Sequence, residues 1–204
     1  MSCIYCNHYI LYKTKEGYYK CAKCKRKFSP KKLQRKAKIL KGFLDELTPI
    51  QISKKYNISY LTVVKEIKNI RKAIVQICEE EFLKKYEIKE FEEYLYIPKS
   101  LKKDKNSIYK AQNFLTIDYG DKIYNILLTS MKNYKFIDYN QIKSMFLQSK
   151  IIKIQTKANL IKFWEYFENF ITKFKGVNEE NFFLYLKEAE FRFNKFKIEV
   201  KDIV

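Results

Sequence analysis

Four of the five cysteines lie within the first 24 residues, spaced as Cys3-x2-Cys6 and Cys21-x2-Cys24. Thiolates are soft anionic ligands, and two such pairs match the tetrahedral preference of Zn²⁺. Each x2 spacing lets a tight knuckle aim both sulfurs at one ion. Between the pairs, Tyr9 to Lys20 reads as a hairpin with Gly17 in its turn. The pattern predicts a zinc ribbon over residues 1–29, with Cys3, Cys6, Cys21 and Cys24 as ligands and structural Zn²⁺ as cofactor. Two disulfides are the alternative, which a reducing compartment disfavours. His8 is expected at the surface, because four thiolates already complete the site. Cys78 sits on an apolar stripe and is expected in the core. A ribbon this small has almost no core of its own, so metal binding, on the order of 10–16 kcal/mol in small zinc modules, would be its folding energy.

The cations offer a second chemistry, the capture of anions. The 204 residues carry 42 Lys+Arg against 23 Asp+Glu, a net charge of +19. Residues 1–80 hold 19 basic and 6 acidic side chains, and Lys23 to Lys38 has nine basic residues and no acidic one. An excess so concentrated predicts a polyanionic partner, foremost nucleic acid. Lys25, Arg26, Lys27, Lys32, Arg35 and Lys36 are the expected phosphate contacts.

Helices must position these groups. Pro30 suits a first helical turn, and Leu33, Ala37, Leu40, Leu44 and Leu47 then recur at helical steps, with Lys32, Arg35, Lys36 and Lys38 on the polar face. Thr48-Pro49 is a cap followed by a helix start, and a short helix follows to Tyr56. Asn57-Ile58-Ser59 reads as a turn, and from Tyr60 the residues Leu61, Val64, Ile67, Ile70, Ile74, Cys78 and Phe82 form one stripe. Short helix, turn and longer helix make a helix-turn-helix over residues 30–86. In that geometry the second helix enters the major groove of double-stranded DNA. Tyr60, Thr62, Val63, Lys65, Glu66 and Asn69 are its expected exposed positions, of which Tyr60, Thr62, Lys65 and Asn69 are the base-reading candidates. Gln51 and Lys54, with Lys55, would face phosphates.

Residues 87–204 read as mixed α/β. Glu90 to Ile97 is strand-like, Asn113 to Asp118 and Lys122 to Leu128 form a hairpin around Tyr119-Gly120-Asp121, and Ile151 to Thr156 suits a fourth strand. Helices are expected over Tyr139 to Leu147, over Asn159 to Phe174 with Gly176 closing it, and from the cap Asn178 to about Lys195. The last of these carries Phe182, Leu186, Ala189 and Phe193 on one face. The fold class is thus α+β, or mixed, and the element order suggests a truncated RNase H-like core. With 16 Phe and 17 Tyr the chain can bury a core, which excludes global disorder. No apolar run approaches ~18 residues, which excludes a membrane span. Without a basic-then-apolar N-terminus the expected location is cytoplasmic, at the nucleoid.

A ribbon, a helix-turn-helix and an α/β core in that order resemble bacterial insertion-sequence transposases of the DDE type. The resemblance runs over nearly the whole chain. It is carried by the ribbon segment Tyr12 to Phe28 and by the aromatic-rich closing stretches Lys162-Phe-Trp164-Glu-Tyr-Phe and Phe183 to Asn194. It implies DNA transposition and DNA recombination, with transposon ends as the bound duplex and a homodimer as the acting form. It also implies three carboxylates around two Mg²⁺ or Mn²⁺ ions, which activate the nucleophile and stabilise the leaving oxygen. Glu92 and Glu93 stand where the family places its first Asp and the Glu after it. Thr156-Lys157 stands where the family has Thr-Asp, and Ile161 stands at the third acid, three residues before Trp164. Asp118, Asp121, Glu165 and Glu168 are the acids that relocated ligands would use. The expected protein therefore binds DNA with a degraded carboxylate set, and needs Mg²⁺ or Mn²⁺ only if it is active. A regulator of operator-like sites without catalysis is the alternative, and an RNA-binding ribbon protein is a third class.

Overall fold

Three short strands, β1 (Leu11–Lys13), β2 (Tyr19–Cys21) and β3 (Lys27–Phe28), make an antiparallel sheet in chain order. This computed structural model describes residues 2–84, 87–98, 105–129, 131, 158–174 and 177–204. The β1–β2 turn works as the sequence predicts: Gly17 takes φ +78°, and the Thr14 and Tyr18 backbones close it at 2.8 Å. The third strand was not anticipated. It sets Phe28 against Tyr19 with ring centroids 6.0 Å apart, inside a small core of Cys3, Cys21 and Phe28 on which Leu33 also packs.

Helix α1 (Pro30–Leu44) is capped by the Ser29 side chain and starts on its proline. It stops three residues short of the expected Leu47. The physical reason is a Schellman motif: Glu46 is left-handed at φ 57°, its N–H donates to Phe43 O, and the Leu47 N–H donates to Gly42 O. The buried face is also rotated from the expected stripe. Ile39, Leu40, Gly42 and Phe43 go inside, while Leu44 is exposed. Helix α2 (Pro49–Tyr56) explains the rotation, since it lies so close that a Cβ on Gly42 would meet Ile52 Cγ1 at 2.7 Å. Its start is a full capping box, in which Thr48 Oγ1 accepts from the Gln51 N–H and Gln51 Oε1 accepts from the Thr48 N–H at 2.8 Å. Its end is Asn57 in the left-handed region at φ 52°, the conformation Asn tolerates best after Gly.

Helix α3 (Tyr60–Leu83) follows at once and runs 24 residues. The molecule divides within it. One unit comprises Met1–Ile74 with Lys197–Val204, and the other comprises Val75–Phe196. The ribbon strands, α1, α2 and α3 as far as Ile74 therefore share one unit, while residues 75–86 of the expected helix-turn-helix domain fall to the other; the chain's last residues join the first unit, where Lys36 Nζ donates to Ile203 O at 2.6 Å.

The second unit holds an antiparallel meander of β4 (Glu90–Tyr96), β5 (Gln112–Asp118) and β6 (Ile123–Leu127), with helices α4 (Ala158–Ile171) and α5 (Glu179–Phe193). The β5–β6 turn places both Gly120 and Asp121 at φ 68°, as a two-residue hairpin of right-handed twist demands. Register is unambiguous, with Glu92 opposite Thr116 and Thr116 opposite Asn125. The core is aromatic: Phe114, Phe163, Phe167, Phe170 and Phe182 are buried together with Leu160 and Leu186. Among the described residues the molecule is thus α+β, with five helices and two three-stranded sheets. The expected helix Tyr139 to Leu147, the expected strand Ile151 to Thr156, and Lys157 and Gly176 lie outside the described residues.

Candidate metal centre and nucleic-acid interface

The sulfurs of Cys3, Cys6, Cys21 and Cys24 all lie within 4.8 Å of one another. Cys3 approaches Cys24, and Cys6 approaches Cys21, each at 3.6 Å. A tetrahedron of sulfurs about 2.3 Å from a central ion has edges of about 3.8 Å, so the cluster has the dimensions of a four-thiolate metal site. All five cysteines are free thiols, not disulfides. His8 is outside the cluster, and its ring lies tilted against Tyr9 with centroids 5.1 Å apart. Cys78 is fully buried in the second unit, and that burial pushes its thiol up.

Two knuckles of the same design build the cluster. After Cys6 the chain turns left-handed at Asn7 (φ 56°), whose N–H donates to Cys3 O, while the Cys3 N–H donates to His8 O. After Cys24 it turns left-handed at Lys25 (φ 60°), whose N–H donates to Cys21 O, while the Cys21 N–H donates to Arg26 O. Such turns point backbone N–H groups at sulfur. Burial alone would raise the Cys21 thiol, but N–H donors from Cys24 and Lys23 and the neighbouring thiols outweigh it and bring Cys21 down to about 6. Cys24, where an N–H from Arg26 pulls the other way, is pushed up to about 11 by burial and the adjacent sulfurs. A thiol held low at Cys21 favours metal capture, which releases thiol protons.

The cations sort into those held and those presented. Lys25, Arg26, Lys27, Lys32, Lys54 and Lys65 are exposed, and the Arg26 guanidinium lies 5.0 Å over the Tyr5 ring. Lys36 is half-buried, 3.9 Å from Glu66 and bonded to Ile203 O, so it anchors the C-terminal segment. Arg35 is half-buried as well. Gln51 is exposed, but its side chain is engaged in the capping box.

On α3 two expected exposures are corrected. Val63 is fully buried, and Glu66 is turned inward, where it accepts from Asn69 Nδ2 at 3.3 Å. Leu61 and Val64, placed by the sequence reading on the buried stripe, are exposed instead. The cause is angular. At about 100° per residue, three-residue steps back from Ile67 lag the helix, and two of them leave Leu61 about 120° off that face. Val63, four residues before Ile67, returns to within about 40° of it. A stricter count of four-and-three steps would have found this. The outward face is Leu61, Val64, Lys65 and Lys68, with Tyr60 at its start and Thr62 half-buried. Leu61, Val64 and Lys68 are absent from the exposed set that the sequence predicts.

The acids lie in the second unit. Glu92 is buried in mid-β4 opposite Thr116, and Glu93 is exposed. Asp118 is buried; it accepts from the Asp121 N–H at 3.2 Å and from Asn159 Nδ2 at 3.0 Å. Asp121 pairs with Lys89 at 3.0 Å, and Glu168 accepts from the Tyr94 hydroxyl at 2.7 Å. Glu165 is exposed, as is Ile161 at the third expected position. Among the described residues no set of three carboxylates converges closely enough to hold a metal ion; only the four cysteines do. Nor, among them, is any helix long and apolar enough to cross a membrane.

Comparison with protein-family models, with curated proteins and with solved structures finds no match to this chain.

Proposed function

We propose that the protein binds a specific site on double-stranded DNA through a zinc-holding ribbon and a helix-turn-helix, in the manner of an insertion-sequence transposase whose catalytic carboxylates have decayed. The observation that carries this reading is the charge arrangement of α2, its turn and α3. From Leu47 to Lys65 there is no acidic residue, and the next one, Glu66, is buried against Lys36. Lys54, Lys65 and Lys68 are exposed, as are Lys25, Arg26 and Lys27 of the ribbon. A polyanion is the partner such a face suits, and the three-residue turn between α2 and α3 suits a duplex groove. Zn²⁺ is the ion that four cysteine sulfurs at these separations suit best. It would brace the ribbon and take no part in chemistry. The second unit would then be the remnant RNase H-like core, and a homodimer would place two heads on inverted half-sites.

Binding to labelled duplex, followed by fluorescence anisotropy across a salt series, tests the reading. Roughly six phosphate contacts predict a slope of about −5 in log K against log salt. Exchanging both Lys54 and Lys65 for alanine should flatten the slope by about 2. A slope near zero in the wild type would end the proposal. The same duplexes incubated with Mn²⁺ should stay intact; nicking that vanishes in Glu92→Ala would instead restore an active enzyme.

A further inference from the structure

The outward face of α3 sets exposed aliphatic side chains among groups that can hydrogen-bond a base, Tyr60, Lys65 and Lys68. Leu61 is 78% exposed, Tyr60 49% and Val64 40%, at the very start of the helix. The two amide candidates are engaged elsewhere, since Asn69 donates to Glu66 and Gln51 is held in its capping box. What remains outward is an aliphatic pair, Leu61 and Val64, one turn apart and backed by Lys65 and Lys68. Their positions at 61, 64, 65 and 68 make one continuous face about 10 Å long. On α2, Lys54 is exposed, while Lys55 lies 3.9 Å from Asp45.

An apolar strip flanked by Lys65 and Lys68 needs a partner that is anionic at its edges and apolar at points within. Another protein surface that was apolar would not need the cations, and an acidic one would leave Leu61 against charge. The major groove of DNA meets both demands, because phosphates line it and each thymine projects a C5-methyl group into it. RNA meets only the first, since uracil lacks the methyl group and the A-form major groove is too narrow for side chains.

Resting on the DNA-binding reading above, we infer that Leu61 and Val64 recognise thymine C5-methyl groups in the major groove. The bound site is then thymine-rich at its centre, and recognition is by shape and apolar contact more than by hydrogen bonds.

The test uses the full chain loaded with zinc. A duplex is selected from a random pool, and its affinity is compared with that of the same duplex carrying deoxyuridine for every thymidine. Pairing and charge are unchanged, and only the methyl groups are lost. Each contacted methyl is worth about 0.8 kcal/mol, so binding should weaken roughly fourfold per methyl. In Leu61→Ala the thymine-to-uracil ratio should fall toward one while the salt slope stays as it was. Because Leu61 is exposed, metal content and circular dichroism should report an intact fold. Equal wild-type affinity for both duplexes, or a ratio that Leu61→Ala leaves unchanged, would overturn the methyl reading and leave DNA binding standing. Selection that enriches no thymine-containing site would overturn it equally. Salt-independent or absent binding to both duplexes would remove the DNA-binding reading itself.

Discussion

Cys21→Ser is expected to release the bound metal and unfold the ribbon. The reasoning is one of size. Around the cysteines the ribbon buries little beyond Phe28, with Ile4, Tyr5, Leu11 and Tyr19 only partly covered. Its three strands contribute only three, three and two residues. Side chains so few cannot offset the ordering of some 25 residues at about 1–2 kcal/mol each. Metal ligation adds on the order of 10–16 kcal/mol in comparable modules, a stabilisation that the few buried side chains lack. Cys21 is fully buried and backbone N–H groups of Cys24 and Lys23 point at its sulfur, so a serine there loses a ligand together with its hydrogen bonds. Metal analysis should fall from one ion per chain to none, and the amide resonances of residues 2–28 should collapse to unfolded positions. A strong chelator should do the same to the wild type. Cys78→Ser is the control, because Cys78 lies outside the cluster and its loss should leave the metal in place. A ribbon that kept its resonances in Cys21→Ser, or in excess chelator, would show that metal is not its folding energy.

Local chemistry of this kind is what a sequence displays best. The cysteine spacing, Gly17, Thr48-Pro49 with Gln51, Asn57 and the Asn178 cap each specify their own turn or cap within a few residues, and each appears where the spacing puts it. The strands β4, β5 and β6 were legible for a similar reason, since aromatic and β-branched runs ended at Pro98 and at the Gly120 turn. Less legible were features that depend on a neighbour. The close approach of α2 to Gly42 rotated α1, and nothing in the α1 segment alone signals that rotation. Lys36 reads as one more surface lysine until Ile203 and Glu66 are placed beside it. The candidate acids are similar. Each has a legible position, but their failure to converge is a three-dimensional fact.

Lys187 and Glu190 are the extreme case, and they carry the second large expected effect. In sequence they are an ordinary i, i+3 pair of the kind that decorates any helix surface. In the structure both side chains are fully buried. Lys187 Nζ lies 3.1 and 3.0 Å from the two Glu190 oxygens and 3.5 Å over the Tyr124 ring. Glu190 Oε2 also accepts from the Asn125 N–H at 2.8 Å and from Asn125 Nδ2 at 2.9 Å. Asn125 Oδ1 then accepts from the Thr116 hydroxyl, and Thr116 Oγ1 accepts from Trp164 Nε1. One network thus ties α5, β6, β5 and α4, and it ends on the chain's single tryptophan.

Removing one partner should leave the other charge stranded. Lys187→Met should destabilise the second unit by about 3–5 kcal/mol at neutral pH, read by Trp164 fluorescence in a denaturant titration. Burial already raises the Glu190 carboxyl, and Lys187 is the largest force lowering it, so in the variant it should rise further. A carboxyl raised above its unfolded value favours the folded state below that unfolded value. The advantage is lost as pH climbs through the folded value. The deficit of Lys187→Met should therefore be small near pH 4 and grow toward neutrality. Lys187→Met combined with Glu190→Gln keeps an acceptor for Asn125 and leaves no charge behind, so most of the loss should return. If the single variant matched the wild type at neutral pH, or if its deficit shrank as pH rose, the pair would not be the buried, mutually dependent one described here. A double variant no better than the single would locate the cost in lost packing over Tyr124, not in a stranded carboxylate.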